Sequence, residues 1–179
     1  MKFIPHDVLP ELVIIEPKIF GDERGQFFEC YRQDKFKEAG IDADFVQDNQ
    51  SISAKGVLRG LHLQTQPAAQ AKCVRVLEGE IFDVAVDVRP DSETFGKWAS
   101  VRLSAENKRM LYIPTGFAHG FVVLSNTATL HYKCTALYSP EHERTLRYDD
   151  PEVDIEWPVT EGLIVSEKDQ KGKGLGFFK

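Results

Sequence analysis

Long apolar runs are missing from this chain. No stretch approaches the roughly 20 residues of a membrane span, and Met1-Lys2-Phe3-Ile4-Pro5-His6-Asp7 lacks a signal-peptide core. The expectation is a cytoplasmic protein with no membrane partner. Cysteine is scarce. Cys30, Cys73 and Cys134 are isolated, odd in number and without CxxC spacing, which argues against a disulfide framework or a zinc knuckle and reads as semi-buried thiols. Positive charge is in deficit, with 22 Lys plus Arg against 28 Asp plus Glu, a net charge of -6 and a pI near 5.4. That balance disfavours a broad grip on nucleic acid, although a few local cations suffice for one phosphorylated small molecule. No HxH, HExxH, GxSxG, P-loop or dinucleotide fingerprint occurs, and internal repeats and low-complexity segments are absent. His62 and His119 alone make a poor metal site, and an inward Lys72 would oppose a divalent ion, so no metal and no cofactor are expected.

What is present fits one core. The 179 residues, 42% of them hydrophobic, can bury on the order of 70% of the unfolded surface without staples. Between Leu12 and Leu137 the pattern is short β-rich runs punctuated by Gly, Pro, Asn and Asp, as in a sandwich or barrel. Val13-Ile14-Ile15 and Phe27-Phe28-Glu29-Cys30-Tyr31 flank a turn at residues 21–25 and read as an N-terminal hairpin. Asp34 to Ala39 reads as a short helix, with Asp34 as its cap and Gly40 as its stop. Glu78-Gly79 reads as a two-residue hairpin loop joining Lys72–Val76 to Ile81–Val88. In that register Lys72 and Asp83 are diagonal neighbours on an apolar face, either as a site or as a structural ion pair. After Pro140 the chain turns charged and turn-rich, and the tail must pack on the β body.

Two histidines stand out, although a lone His in an apolar strand is more often a hydrogen-bonded core residue. His62 follows Arg59 in Gly56-Val57-Leu58-Arg59-Gly60-Leu61-His62, and His119 follows Pro114-Thr115-Gly116-Phe117-Ala118. Strict alternation puts Arg59 and His62 on opposite faces, so a shared site demands a bulge, which Gly60 permits. From Thr129 to Leu137, alternation turns Leu130, Tyr132 and Cys134 inward.

Several stretches taken together resemble the dTDP-4-dehydrorhamnose 3,5-epimerase family: residues 20–25, 45–49, 56–62, 79–87, 94–98, 103–107, 113–121, 132–135 and 166–169. Ala71 and Cys73, where glycine and leucine are expected beside Lys72, are small departures. The resemblance implies a mainly β, cupin-like jelly-roll sandwich or barrel with a few short peripheral helices, in a single domain over residues 1–179. Strands up to about residue 50 would contribute to a homodimer, and the tail from about 140 would cover the barrel. It implies a dTDP-sugar substrate and no nicotinamide or metal. By the same resemblance His62 is the base, Asp169 its orienting carboxylate and Tyr132 the proton donor. Arg24, Glu29, Gln47, Asp48, Asn49, Arg59, Lys72, His119, Glu143 and Lys168 would contact substrate. Tyr138 and Phe20 of a partner subunit would stack on the thymine.

The chemistry agrees with these residue types. Inverting carbons beside a ketone needs a base and an acid on opposite faces of the sugar. An imidazole (ordinary pKa about 6.5) and a phenol (about 10) suit those roles near pH 7. Lys72 on its apolar face suits the enolate oxygen. A single-carbon epimerase, an idle sugar-nucleotide binding module and a metal-dependent cupin are the rival readings.

Overall fold

Alternating burial along the strands sorts them into two facing sheets. The computed structural model describes all 179 residues. In chain order the elements are β1 (Lys2–Pro5), β2 (Val13–Glu16), β3 (Phe20–Asp22), β4 (Gly25–Phe27), α1 (Gln33–Glu38), β5 (Gln47–Ala54), β6 (Val57–Gln64) and β7 (Lys72–Glu78). There follow β8 (Glu80–Asp87), β9 (Trp98–Ser104), β10 (Met110–Ile113), β11 (Phe117–Val123), β12 (Thr127–Cys134), β13 (Glu143–Thr145), β14 (Ile164–Val165) and α2 (Glu167–Gln170). One sheet runs β1-β2-β10-β7-β12-β5; the other runs β13-β6-β11-β8-β9, with β14 added to β6 in parallel. The result is a cupin-like jelly-roll sandwich, mainly β with two short α-helices.

The main core lies between the sheets. Val74, Val76, Leu111, Ile113 and Leu130 from the first face Ile81, Ala85, Leu103, Phe121 and Val123 from the second. The second sheet is covered on its outer face as well, where Leu61, Val84, Val86 and Ala118 meet Leu146, Val153 and Leu175 of the C-terminal segment. That double coverage explains why all seven residues of β11 are buried and why its sequence shows no polar alternation. The outer face of the first sheet is covered by α1, which buries Phe36 against Ile15, Cys73 and Met110. The three cysteines are free thiols, two buried and one half-buried, and burial pushes Cys73 up to about 12.

Three local expectations need correction. The Lys72–Val88 segment is not a hairpin: β7 pairs with β10 and β12, whereas β8 pairs with β11 and β9. Gly79, at φ 78°, carries the chain from one sheet to the other, and a Cβ there would meet Thr127 O at 2.0 Å. The inward face is still Lys72, Val74 and Val76 opposite Ile81, Asp83 and Ala85, but these rows meet across the sandwich. The N-terminal hairpin is shorter than expected, pairing Phe20–Asp22 with Gly25–Phe27, while Val13–Glu16 is claimed by β1 and β10. Helix α1 begins after Arg32, whose guanidinium has no acceptor with which to cap it; Asp34 lies within the first turn, where its carboxylate accepts from the Arg32 guanidinium at 2.9 and 2.8 Å and from the Lys35 N–H at 2.9 Å.

Candidate active site

A cavity of about 510 Å³ opens between the sheets. Its walls include Arg59 and His62 of β6, Lys72 of β7, His119 of β11, Tyr132 of β12, and Lys168 and Asp169 of α2. Arg59 and His62 share it because pairing between β6 and β11 slips by a residue next to Gly60, so the alternation is broken where the sequence requires. Gly60 sits at φ 125°, and a Cβ there would lie 2.5 Å from Gly120 Cα and 2.8 Å from His119 O. Only glycine fits such a close crossing of two backbones.

His62, which lines the cavity, has Nε2 2.6 Å from Asp169 Oδ1 and no hydrogen-bond partner in the chain at Nδ1. The other carboxylate oxygen accepts the Gly60 N–H at 3.1 Å. Asp169 is aimed by its own short helix, since its N–H donates to Ser166 Oγ at 3.1 Å and β14 ties the preceding residues to β6. Burial acts to raise the Asp169 carboxyl, but the His62 ring, the Gly60 N–H and Ser166 outweigh it and hold it below the usual carboxylate range. The pair is therefore a carboxylate beside an imidazole, the arrangement that fixes tautomer and steadies an imidazolium.

A second imidazole–carboxylate pair lies alongside. His119, register partner of His62, places Nε2 2.9 and 3.0 Å from the two oxygens of the fully buried Asp83. Lys72 reaches in from the opposite sheet, donating from Nζ to His62 O at 3.2 Å. Burial lowers its pKa, opposed by Cys134, Glu143 and Asp83. Tyr132 also comes from that sheet. Burial and Cys134 raise its phenol above the ordinary value against the opposing pull of Arg59 and Asn49, so it is protonated at neutral pH. A base-type side chain and an acid-type side chain thus face one space from opposite walls.

The family model described as dTDP-4-dehydrorhamnose 3,5-epimerase matches residues 7–176. The chain belongs to the dTDP-4-dehydrorhamnose 3,5-epimerase family. It is 56% identical over 168 residues to the enzyme of that name from Pseudomonas aeruginosa, covering 93% of this chain and 92% of that one. A dTDP-6-deoxy-D-glucose-3,5-epimerase from Legionella pneumophila, solved in complex with dTDP-4-keto-L-rhamnose, superposes with TM-score 0.95 at 52% identity, covering 99% of this chain and 94% of that one. A 3'-monoepimerase from Streptomyces bikiniensis, solved with dTDP-quinovose, gives TM-score 0.90 at 34% identity, covering 97% and 87%.

The remaining residues marked by resemblance to the epimerase family divide in two. Gln47, Asn49, Tyr138 and Glu143 line a side recess of about 110 Å³ that shares His62, Lys72 and Tyr132 with the main cavity. There Gln47 accepts the Tyr138 N–H at 2.9 Å, and Glu143 accepts from the Tyr138 hydroxyl at 3.1 Å and from Lys168 Nζ at 2.5 Å. Asp48 does not join them: alternation turns it to the outer face of β5, where Lys133 binds it at 2.9 and 3.1 Å. Phe20, Arg24 and Glu29 also stand apart from the cavity within one chain. Phe20 and Arg24 belong to the exposed β3–β4 hairpin, where Arg24 is clasped by Asp22, and Glu29 pairs with Arg32 at 3.6 Å.

Residues not foreseen also line the cavity, notably Ser51, Phe121 and Ser166. Ser51 was within reach of the same alternation that turns Asn49 inward, whereas Ser166 is recognisable only once α2 is seen to need a cap. No helix is long and apolar enough to cross a membrane, and no group of three or more His, Cys, Asp or Glu side chains is arranged to hold a metal.

Proposed function

We propose that this protein inverts C3 and C5 of dTDP-4-dehydro-6-deoxy-alpha-D-glucose, yielding dTDP-4-dehydro-beta-L-rhamnose for dTDP-L-rhamnose synthesis. The observation that carries the reading is that His62, backed by Asp169, and Tyr132 line one cavity from opposite sheets. His62 removes the proton from the carbon beside the C4 ketone through its free Nδ1, while the Nε2 proton stays shared with Asp169. The charge moves to the C4 oxygen as an enolate. Lys72, held in a water-poor place between the sheets, stabilises that oxygen with its ammonium. Tyr132 then donates its proton from the far side, and the carbon is returned inverted. Once His62 has passed its proton to solvent and Tyr132 has regained one from it, the same pair of groups serves the second carbon after the ring is re-presented.

Binding falls to the rest of the site. Arg59 takes the diphosphate with its forked donors, which reconciles an acidic chain with an anionic substrate. Gln47, Asn49, His119, Glu143 and Lys168 position sugar and nucleotide, and Tyr138 offers its exposed ring to the thymine. The active unit in this reading is a homodimer whose N-terminal strands cross between subunits. The exposed β3–β4 hairpin, polar at its turn but with the Phe20 and Phe27 rings both open to solvent, supports a role in which it reaches a second copy and delivers Phe20 to its thymine.

The test is incubation with the keto sugar nucleotide in heavy water, coupled to the pathway reductase and NADPH. Deuterium at both C3 and C5 of the product is expected. Exchange at only one carbon would overturn the double inversion and favour the second reading, a single-carbon epimerase, a chemistry for which the same fold serves in Streptomyces bikiniensis.

A further inference from the structure

Of all the buried side-chain oxygens and nitrogens in the chain, one lacks a hydrogen-bond partner: Oγ of Ser51. Its neighbours on the inward face of β5 are all engaged. Gln47 Nε2 donates to Asn49 Oδ1 at 3.0 Å, Asn49 Nδ2 reaches Cys134 Sγ at 3.6 Å, and Ser53 Oγ accepts from Arg59 Nε at 3.0 Å. Native proteins leave few buried polar groups unpaired, because the group has given up water without compensation. Ser51 is also a lining residue of the cavity between the sheets. An unpaired hydroxyl at that wall has a natural partner in whatever fills the cavity.

Strand register narrows the choice of partner. Asn49 is opposite Tyr132 and Ser51 is opposite Leu130, while Ser53, two residues on, anchors the Arg59 guanidinium. Ser51 therefore stands one inward step from the phenol in the direction of the arginine. A hexose held at Tyr132 and a diphosphate held at Arg59 meet at the phosphate that bears the sugar. We propose that Ser51 is a substrate-binding residue whose hydroxyl, turned about χ1 to another staggered well, donates to an oxygen of that sugar-bearing phosphate. The assignment rests on the reading of the cavity given above and adds a contact to it. Charge on this phosphate is the same before and during proton transfer, so the contact strengthens binding and leaves the chemical step alone.

The experiment compares wild type and Ser51→Ala by calorimetric titration with dTDP and dTMP, by turnover of the keto sugar nucleotide, and by thermal melting. A hydroxyl bonded to an anion predicts a rise of about 10- to 100-fold in the Kd for dTDP and in KM, with kcat within about twofold. Affinity for dTMP, which lacks the second phosphate, stays at the wild-type value. The melting temperature holds or rises, because alanine removes an unpaired hydroxyl. Unchanged dTDP affinity and KM would overturn the proposal, as would a loss confined to kcat or a lowered melting temperature with binding intact. If wild type binds dTDP but does not turn over the keto sugar, the epimerase reading fails while the dTDP comparison still judges Ser51.

Discussion

Replacing Asp169 by asparagine separates orientation from charge at His62, the proposed base. The carboxylate is 3% exposed and its two oxygens have different tasks: Oδ1 meets His62 Nε2 at 2.6 Å and Oδ2 accepts the Gly60 N–H at 3.1 Å. In Asp169→Asn the Gly60 N–H still demands an acceptor, so the amide oxygen takes the Oδ2 place and the amide NH₂ faces the imidazole. Nε2 must then accept, and the ring proton is driven onto Nδ1, where it points at the substrate. An imidazole in that tautomer cannot take a proton from carbon. Carboxylate-to-amide exchange behind a catalytic histidine costs about 10⁴ in kcat when it traps the wrong tautomer, and a loss of about 10³ to 10⁴ is expected here. The assay is deuterium uptake at C3 and C5 by NMR, with dTDP affinity and thermal melting as controls that should stay near wild type. A variant that keeps kcat within about tenfold of wild type, while folding and binding normally, would refute the tautomer argument.

Three other outcomes are expected. Tyr132→Phe should cut net inversion by about 10² to 10⁴ while His62 still exchanges the proton, so the substrate gains deuterium without changing configuration; loss of exchange in parallel would count against the division of roles. Gly60→Ala places a Cβ against Gly120 Cα and His119 O in a positive-φ backbone, and urea melts should show a loss of about 2–5 kcal/mol together with loss of activity. Asp87 is fully buried. Burial opposes its ionisation, but Arg89, Ser92 and Thr94 outweigh this and bring its pKa down to about 2. Because the folded value lies below the unfolded one, its contribution of about 2 kcal/mol is complete above roughly pH 4 and is lost as pH falls toward 2. Urea melts of Asp87→Asn should be weaker at neutral pH by about this amount and lack that slope; identical acid sensitivity in both proteins would contradict it.

Much of the site was visible in one dimension because strands have a period of two and glycine is conspicuous. Alternation alone turned Tyr132 inward, and the conflict between Arg59 and His62 pointed to a break at Gly60, where the register does slip. The same rule, followed along β5, would have turned Asp48 outward and Ser51 inward; the family likeness of residues 45–49 drew attention to all three of Gln47, Asp48 and Asn49 instead. Asp169 lies 107 residues from His62, and nothing local to either announces the 2.6 Å contact.

Residue pattern settled strand content, inward faces and the need for a kink, since these depend on each residue's neighbours along the chain. Partnership between strands depended on the whole assembly. Glu78-Gly79 has the composition of a tight hairpin, yet β7 and β8 gain more by burying their apolar faces against each other across the sandwich, each paired to other strands within its own sheet. That crossing brings Lys72 and Tyr132 opposite His62, because contacts between distant segments form only when the two sheets pack around one core.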